Sequence, residues 1–244
     1  MDQQVALITG GAKGIGRGIA LDLAARRWKI ALCYRNSEAE ANATAQDIMT
    51  QGGRSLAIRC DVSDPVAAKS LIARVEQEWG RIDVLINGAG PYHRINLFDE
   101  TVEGWNEMFD GNLHPIFYLA QAVAPGMKAR KTGRIINFSM ANADQLAAQP
   151  DVTGHYIAKA GVLILTRTLA KLLAPYGVTV NAISPGFIDS GSAPPQELAA
   201  MTKRIPAGYI GTVDDTVAAV RYLLSDDARY VNGANIQISG GWGI

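Results

Sequence analysis

Residues Gln4–Gly16 read QVALITGGAKGIG. A short apolar run ends at Thr9, and a turn carrying Gly10, Gly11, Gly14 and Gly16 follows at once. Behind it, Gly14–Arg27 places Ile15, Ile19, Leu21 and Leu23 at helical spacing. The order is strand, glycine turn, helix. Glycines belong where a tight turn brings backbone amides close to a pyrophosphate at a helix N-terminus. Their place between a first strand and a first helix reads this turn as a dinucleotide site.

The rest of the chain repeats that order. Strands are expected at Lys29–Tyr34, Arg54–Cys60, Ile82–Asn87, Arg134–Phe138, Val178–Ser184 and Asn235–Ser239. Ser37 stands three residues before Glu40, a capping-box spacing that starts a helix running to Thr50. Asp64 caps the next helix, with Pro65 at its first position, as far as Trp79. Further helices are expected over Thr101–Lys128 in one piece, over Thr153–Ala174 and over Thr212–Leu224. Strand and helix alternate with no repeat or linker. The expectation is an α/β fold: a single Rossmann-type domain over residues 1–244, with a doubly wound parallel sheet and helices on both faces. In such a sheet the ligand lies outside the carboxyl ends of the strands, where strand order reverses.

The chain has 244 residues, 48% of them apolar, enough to bury one core of this kind. Formal net charge is zero, which argues against a general binder of nucleic acid or of anionic membrane. No window approaches the ~18 apolar residues of a membrane span. The N-terminus lacks the basic-then-apolar pattern of a signal peptide. A cytoplasmic protein with no membrane or nucleic-acid partner is expected. Cys33 and Cys60 make neither a disulfide framework nor a metal site, and both read as inert core thiols in strands. No metal is expected.

The spacing TGxxxGxG at Thr9–Gly16 resembles that of the short-chain dehydrogenase/reductase superfamily. Further matches follow in order: Asp61-Val62, Asn87-Gly88-Ala89-Gly90, Asn112, Lys159, Pro185-Gly186 and Gly240-Gly241. They span essentially the whole chain and are nearest in flavour to the 3-oxoacyl-carrier-protein reductases and the pteridine reductases. The resemblance implies strand order 3-2-1-4-5-6-7 and a nicotinamide cofactor. It gives Gly10, Gly14, Ile15 and Gly16 to the pyrophosphate site, and Asp61 and Val62 to the adenine. Asn87, Ala89 and Gly90 fall to the cofactor ribose, and Pro185, Gly186 and Ile188 to the nicotinamide. Ser190 takes a position where the family often has Thr. Gly88 departs from the second Asn of the family's NNAG motif. The segment 190–206 matches the family's substrate lid, and a homodimer or homotetramer is implied.

The cofactor preference follows from charge. An NAD site favours a carboxylate at the end of the second strand, whereas a 2′-phosphate needs cations there. This chain has Tyr34-Arg35-Asn36-Ser37, no acid before Glu38, and Lys13 in the glycine turn. The expected cofactor is NADP(H).

The stretch Gly133–Val162, GRIINFSMANADQLAAQPDVTGHYIAKAGV, carries the chemistry by the same resemblance. In the family a Tyr gives the proton and a Lys four residues later lowers its pKa. A Ser steadies the substrate oxygen, and an Asn completes a relay. Four residues along a helix returns to nearly the same face. Counting back from Lys159 puts His155 in the Tyr slot, with Tyr156 one residue out. Met140 takes the Ser slot, with Ser139 one position early, while Asn112 is retained. Three readings stay open: His155 as the acid, Tyr156 through a shift of helix register, or a chain that binds NADP(H) without ordinary carbonyl reduction and acts as regulator, assembly partner or non-redox catalyst. An imidazole titrates near neutrality, although a neighbouring ammonium favours its neutral form. Met140 cannot replace a hydroxyl, since a thioether donates no proton. Asn142 is the nearest polar group in the loop. Tyr92 and His93, after the fourth strand, are candidates to touch a small-molecule substrate. His114 reads as a packed helix residue, and Tyr209 and Trp242 as candidates to close the pocket or an oligomer edge. The expected reaction is hydride transfer to or from a C=O or C=N group.

Overall fold

The computed structural model describes residues 3–191 and 194–243. In chain order the elements are β1 Val5–Thr9, α1 Gly14–Ala25, β2 Lys29–Tyr34, α2 Glu38–Thr50, β3 Arg54–Arg59 and α3 Pro65–Trp79. They continue with β4 Val84–Asn87, α4 Val102–Asn112, α5 His114–Arg130, β5 Gly133–Phe138, α6 Thr153–Leu173 and β6 Val178–Pro185. The last are β7 Ile188–Asp189, α7 Pro195–Thr202, β8 Gly211–Thr212, α8 Val213–Leu224 and β9 Asn235–Ile238.

Seven strands form one parallel sheet in the order β3-β2-β1-β4-β5-β6-β9. This is the expected order, with β9 as the seventh strand, because β7 and β8 pair separately. β1 explains its own composition. Val5 and Leu7 pack into the layer of α3, α5 and α6, while Ala6 and Ile8 pack into the layer of α1, α2 and α8. A strand covered on both faces has no polar side to offer, hence the continuous apolar run. Strand order reverses between β1 and β4, which pair directly. The turns after these two strands therefore open a crevice at the carboxyl edge. Among the described residues no helix is long and apolar enough to cross a membrane.

Several local expectations are corrected. The helix of 101–128 is two helices, α4 and α5, broken at Leu113. Pro115 has no amide to donate to the preceding turn, and the Asn112 side chain takes the Met108 carbonyl at 2.9 Å. His114 is half-exposed rather than packed, with Nδ1 2.8 Å from Asp110 Oδ1. β4 starts at Val84, after Asp83 has accepted the Val5 amide through its side chain. α2 starts where expected, yet the Ser37 hydroxyl makes no cap bond; it lines a cleft instead. β3 stops at Arg59, so Cys60 lies beyond the strand, partly exposed. The 190–206 excursion contains α7, and residues 192 and 193 of it lie outside those described.

Candidate active site

The glycine turn is built for close backbone approach. Gly10 has φ +70°, and a Cβ there would meet the Gly88–Ala89 backbone at 3.0 Å. A Cβ at Gly16 would fall 2.2 Å from the Gly10 carbonyl oxygen, so no other residue fits without moving the turn. No side-chain hydrogen bond caps α1 at Lys13. The amides of its first turn are left for an anion. These features fit a dinucleotide pyrophosphate.

A cleft of about 390 Å³ extends from this turn. Gly10 and Lys13 line it from the turn, Arg35, Asn36 and Ser37 from the end of β2, and Asp61 and Val62 from beyond β3. Gly88, Ala89 and Gly90 close it from the loop after β4. Ten of the residues expected to hold the cofactor thus meet in one place. Gly14 and Ser190 line a neighbouring groove between α1 and α8. Arg35 lies 3.9 Å from the carboxylates of Asp61 and Glu107 and is half exposed, a loosely held cation at the far end of the cleft. Hydrogen bonds from Ser63 and the Arg35 charge outweigh burial and keep the Asp61 carboxyl below its ordinary pKa. With Gly88 in place of an Asn, the β4 end is held by Thr9, whose Oγ1 accepts from the Gly88 and Ala89 amides at 3.1 and 3.2 Å. Asn87 donates to Asn137 at 2.8 Å, and its own Oδ1 is buried without a partner.

The candidate catalytic residues lie where the loops after β4 and β5 meet the N-terminal turns of α6. Lys159 is buried on α6, with Nζ donating to the Phe138 carbonyl at 2.9 Å. Burial pushes its pKa down to about 8. Ser139 donates to the Lys159 carbonyl at 2.8 Å, so its proton ties β5 to the helix rather than facing a substrate. Tyr156 is 5% exposed. Its hydroxyl donates to the Asn142 carbonyl at 2.7 Å and accepts from the Ala147 amide at 3.1 Å. The phenol proton is spent on the loop after β5.

His155 is held differently. The ring is buried, its Nδ1 has no partner, and the Tyr92 ring stands edge-on to it at 5.0 Å between centroids. Burial first, and the Lys159 charge second, push its pKa down to about 4; the Pro91 carbonyl opposes them. That same carbonyl accepts from Asn112 Nδ2 at 3.0 Å, while Asn112 Oδ1 stays buried and unpartnered. Met140 packs against Ala143, Leu163 and Ala182 and offers no hydroxyl. Asn142 has φ +63° and also buries an unpartnered Oδ1.

His93 is bound 2.6 Å from Glu100 Oε2, beside the exposed Tyr92. Ile188 reaches over Gly211 in the β7–β8 pair. Pro185 accepts the Ala141 amide at 2.9 Å, and a Cβ at Gly186 would meet Ser239 at 3.0 Å. Trp242 packs against Phe187 with ring centroids 4.6 Å apart and planes tilted by 48°, and Tyr209 is exposed. Among the described residues no cluster of three His, Cys, Asp or Glu could hold a metal.

Sequence reasoning missed Pro91, whose carbonyl accepts from Asn112 beside the His155 ring, because a backbone carbonyl leaves no residue-type signal. It missed Glu100 for the opposite reason: a carboxylate seven residues from a His is unremarkable until a loop folds them together. Thr9 was readable, since a Thr at a strand end beside glycines is a natural amide acceptor.

Residues 10–243 match the family model described as "Enoyl-(Acyl carrier protein) reductase". The chain is 36% identical over 239 residues to 3-oxoacyl-[acyl-carrier-protein] reductase FabG of Staphylococcus aureus strain Mu50, covering 97% of this chain and 96% of that one. It is 33% identical over 246 residues to the FabG of Escherichia coli K12, covering 98% and 96%. The solved structure of acetoin dehydrogenase YohF from Salmonella typhimurium superposes with a TM-score of 0.89 at 28% identity, over 98% of this chain and 97% of that one.

Proposed function

The chain belongs to the short-chain dehydrogenase/reductase family of oxidoreductases, and from that premise we propose that it transfers hydride between NADP(H) and a C=O or C=N group of a small molecule, with His155 handling the proton. The observation that carries this reading is the buried pair on α6: His155, neutral with an open Nδ1, one turn before Lys159.

The glycine turn at residues 10–16 and the first turn of α1 would hold the pyrophosphate. Asp61 and Val62 would meet the adenine, and Arg35 with Lys13 a 2′-phosphate, which needs cations rather than an acid. When bound, the nicotinamide supplies or takes the hydride. Every remaining task falls to side chains of this chain.

With a pKa of about 4, His155 is neutral at pH 7. A neutral imidazole is a hydrogen-bond donor, able to polarise a carbonyl without first carrying charge. Lys159, with a pKa of about 8, is mostly charged at that pH and stabilises negative charge developing on the oxygen. The proton then moves in one relay. His155 would give its imidazole hydrogen to the substrate oxygen, with Lys159, one turn along α6, as the source of the proton that returns the ring to neutrality. Met140 leaves His155 as the donor to that oxygen. Asn112 fixes the Pro91 carbonyl beside the ring, and Tyr156 holds the loop that walls the site. The segment 190–206 serves as the lid. Phe117, Ile157, Ile164 and Leu172 are exposed on α5 and α6, which supports pairing of copies through those helices.

The test is direct. NADPH and NADH are titrated by fluorescence, and NADPH consumption is then followed over a panel of aldehydes, ketones, 3-oxo thioesters and imines. Tighter NADPH binding with turnover on a panel member supports the reading. Tight binding with no turnover on any of them contradicts the enzymatic half, and preferential NADH binding contradicts the cofactor half.

A further inference from the structure

The chain has two cysteines, and the fold brings both to the same wall of the cleft. Cys33 is the last residue but one of β2, before Tyr34, and is buried; Cys60 follows β3 and is partly exposed. In the β2–β3 register Cys33 pairs with Ile58, so Cys60 lies two residues further along and on the same face of the pleat. The sulfur of Cys33 is 3.6 Å from the Cys60 carbonyl oxygen. The neighbouring Cys60 side chain, with burial, raises the Cys33 pKa, and the Cys33 side chain lowers that of Cys60 against burial. Cys60 is thus the thiol with the greater anionic character and the greater access, and Cys33 stands behind it. A partly exposed thiol of lowered pKa, backed by a second thiol, is the arrangement of a redox-sensitive pair.

We propose that Cys33 and Cys60 form a disulfide on exposure to a hydroperoxide, and that this bond shuts the adenine end of the cofactor cleft; the second half rests on the NADP(H) reading above. The Cys60 thiolate attacks the outer oxygen of the hydroperoxide, the O–O bond breaks, and the alkoxide or hydroxide leaves as alcohol or water after taking a proton. Cys60 is then a sulfenic acid. The Cys33 sulfur attacks the Cys60 sulfur, the S–O bond breaks, and the hydroxide leaves as water with the Cys33 proton. Two thiols are oxidised by two electrons and one peroxide bond is reduced.

The closure follows from strand geometry. One strand across at about 4.8 Å and two residues along at about 3.3 Å each separate the two Cα atoms by roughly 8 Å. A disulfide tolerates about 6.8 Å at most. β3 is the edge strand, paired only with β2, so it is the strand that yields. Cys60 drawn toward Cys33 carries Asp61 and Val62 with it, and these two residues form the wall proposed to meet the adenine.

The protein is treated with hydrogen peroxide with and without NADPH. It is then read by intact mass, by peptide mapping of the 33–60 crosslink, and by NADPH affinity before and after dithiothreitol. The expected result is the loss of two hydrogens, a Cys33–Cys60 crosslinked peptide and an NADPH affinity lower by about tenfold or more. Dithiothreitol restores the affinity, and NADPH present during treatment slows the crosslink. In C33S and in C60S the crosslink is absent, and the ratio of treated to untreated affinity no longer recovers with dithiothreitol. Two thiols that remain fully alkylatable, oxidation confined to Cys60 without a crosslink, or a crosslink that leaves NADPH affinity unchanged each overturn the proposal. If untreated protein does not bind NADPH, the cofactor reading and the gating fall together. The crosslinked peptide, scored on its own, still decides whether the pair oxidises.

Discussion

The hydroxyl of Tyr156 donates to the carbonyl oxygen of Asn142 at 2.7 Å. This bond engages the hydroxyl of the one tyrosine in the HYIAK segment in holding the loop after β5. Asn142 sits at φ +63° and Leu146, in the same loop, at φ +52°. Backbone of that kind is strained for non-glycine residues and persists only where neighbours hold it. Tyr156→Phe removes a donor and an acceptor from two partly buried hydrogen bonds to the loop. A loss of stability of about 1–3 kcal/mol is expected, read from the midpoint of urea unfolding.

Among the described residues Arg35 is held by two long contacts of 3.9 Å, so it can turn to a phosphate at little cost. Arg35→Ala is expected to weaken NADPH binding by about tenfold or more, since a hydrogen bond to a charged group contributes about 1.5–3 kcal/mol. NADH binding should barely change. Equal losses for both cofactors would remove Arg35 from 2′-phosphate recognition.

The buried pair on α6 sets a stability signature. His155 has a folded pKa of about 4 against an ordinary 6.5. Between those values the unfolded ring holds a proton that the folded ring does not. Stability is therefore present above 6.5 and falls as pH drops toward 4. Lys159 has a folded pKa of about 8 against an ordinary 10.5. Its unfolded form binds the extra proton between those values, so stability rises with pH across that window. Unfolding midpoints of wild type and His155→Asn should converge above pH 6.5 after one constant offset, and diverge below it.

Turnover should follow the same two groups. The relay needs neutral His155 and charged Lys159. The rate is expected to hold level between about pH 4 and 8 and then to fall about tenfold per pH unit as Lys159 loses its proton. A rate that rises through pH 8 would mean that the proton comes from elsewhere.

The sheet was legible because its signals are local. Apolar strands with no polar face demand cover on both sides, and the glycines after β1 demand a close backbone approach. Both statements hold before any tertiary contact is known. The cleft wall was legible for the same reason, being a run of turns at the carboxyl ends of successive strands. The reacting centre was less so. Counting from Lys159 assigns slots, and it placed His155, Tyr156 and Met140. It could not tell which proton is free. That depends on the fold of residues 139–152, where Tyr156 meets Asn142 and Ser139 meets the Lys159 carbonyl. The break at Leu113 was hidden by continuous helical periodicity on both sides of it, although Pro115 carried the signal. Ser37 shows the reverse: the capping-box spacing is present, but its hydroxyl makes no cap bond and the residue lines the cleft.

The most direct measurement sets His155→Ala beside Tyr156→Phe, with NADPH affinity and single-turnover NADPH oxidation recorded on the same preparations. The account predicts that both variants bind NADPH within about threefold of wild type. His155→Ala loses hydride transfer by about 10²-fold or more, the scale of a lost proton-transfer group, while Tyr156→Phe keeps it within about tenfold. Loss of transfer in Tyr156→Phe with His155→Ala near wild type would contradict it.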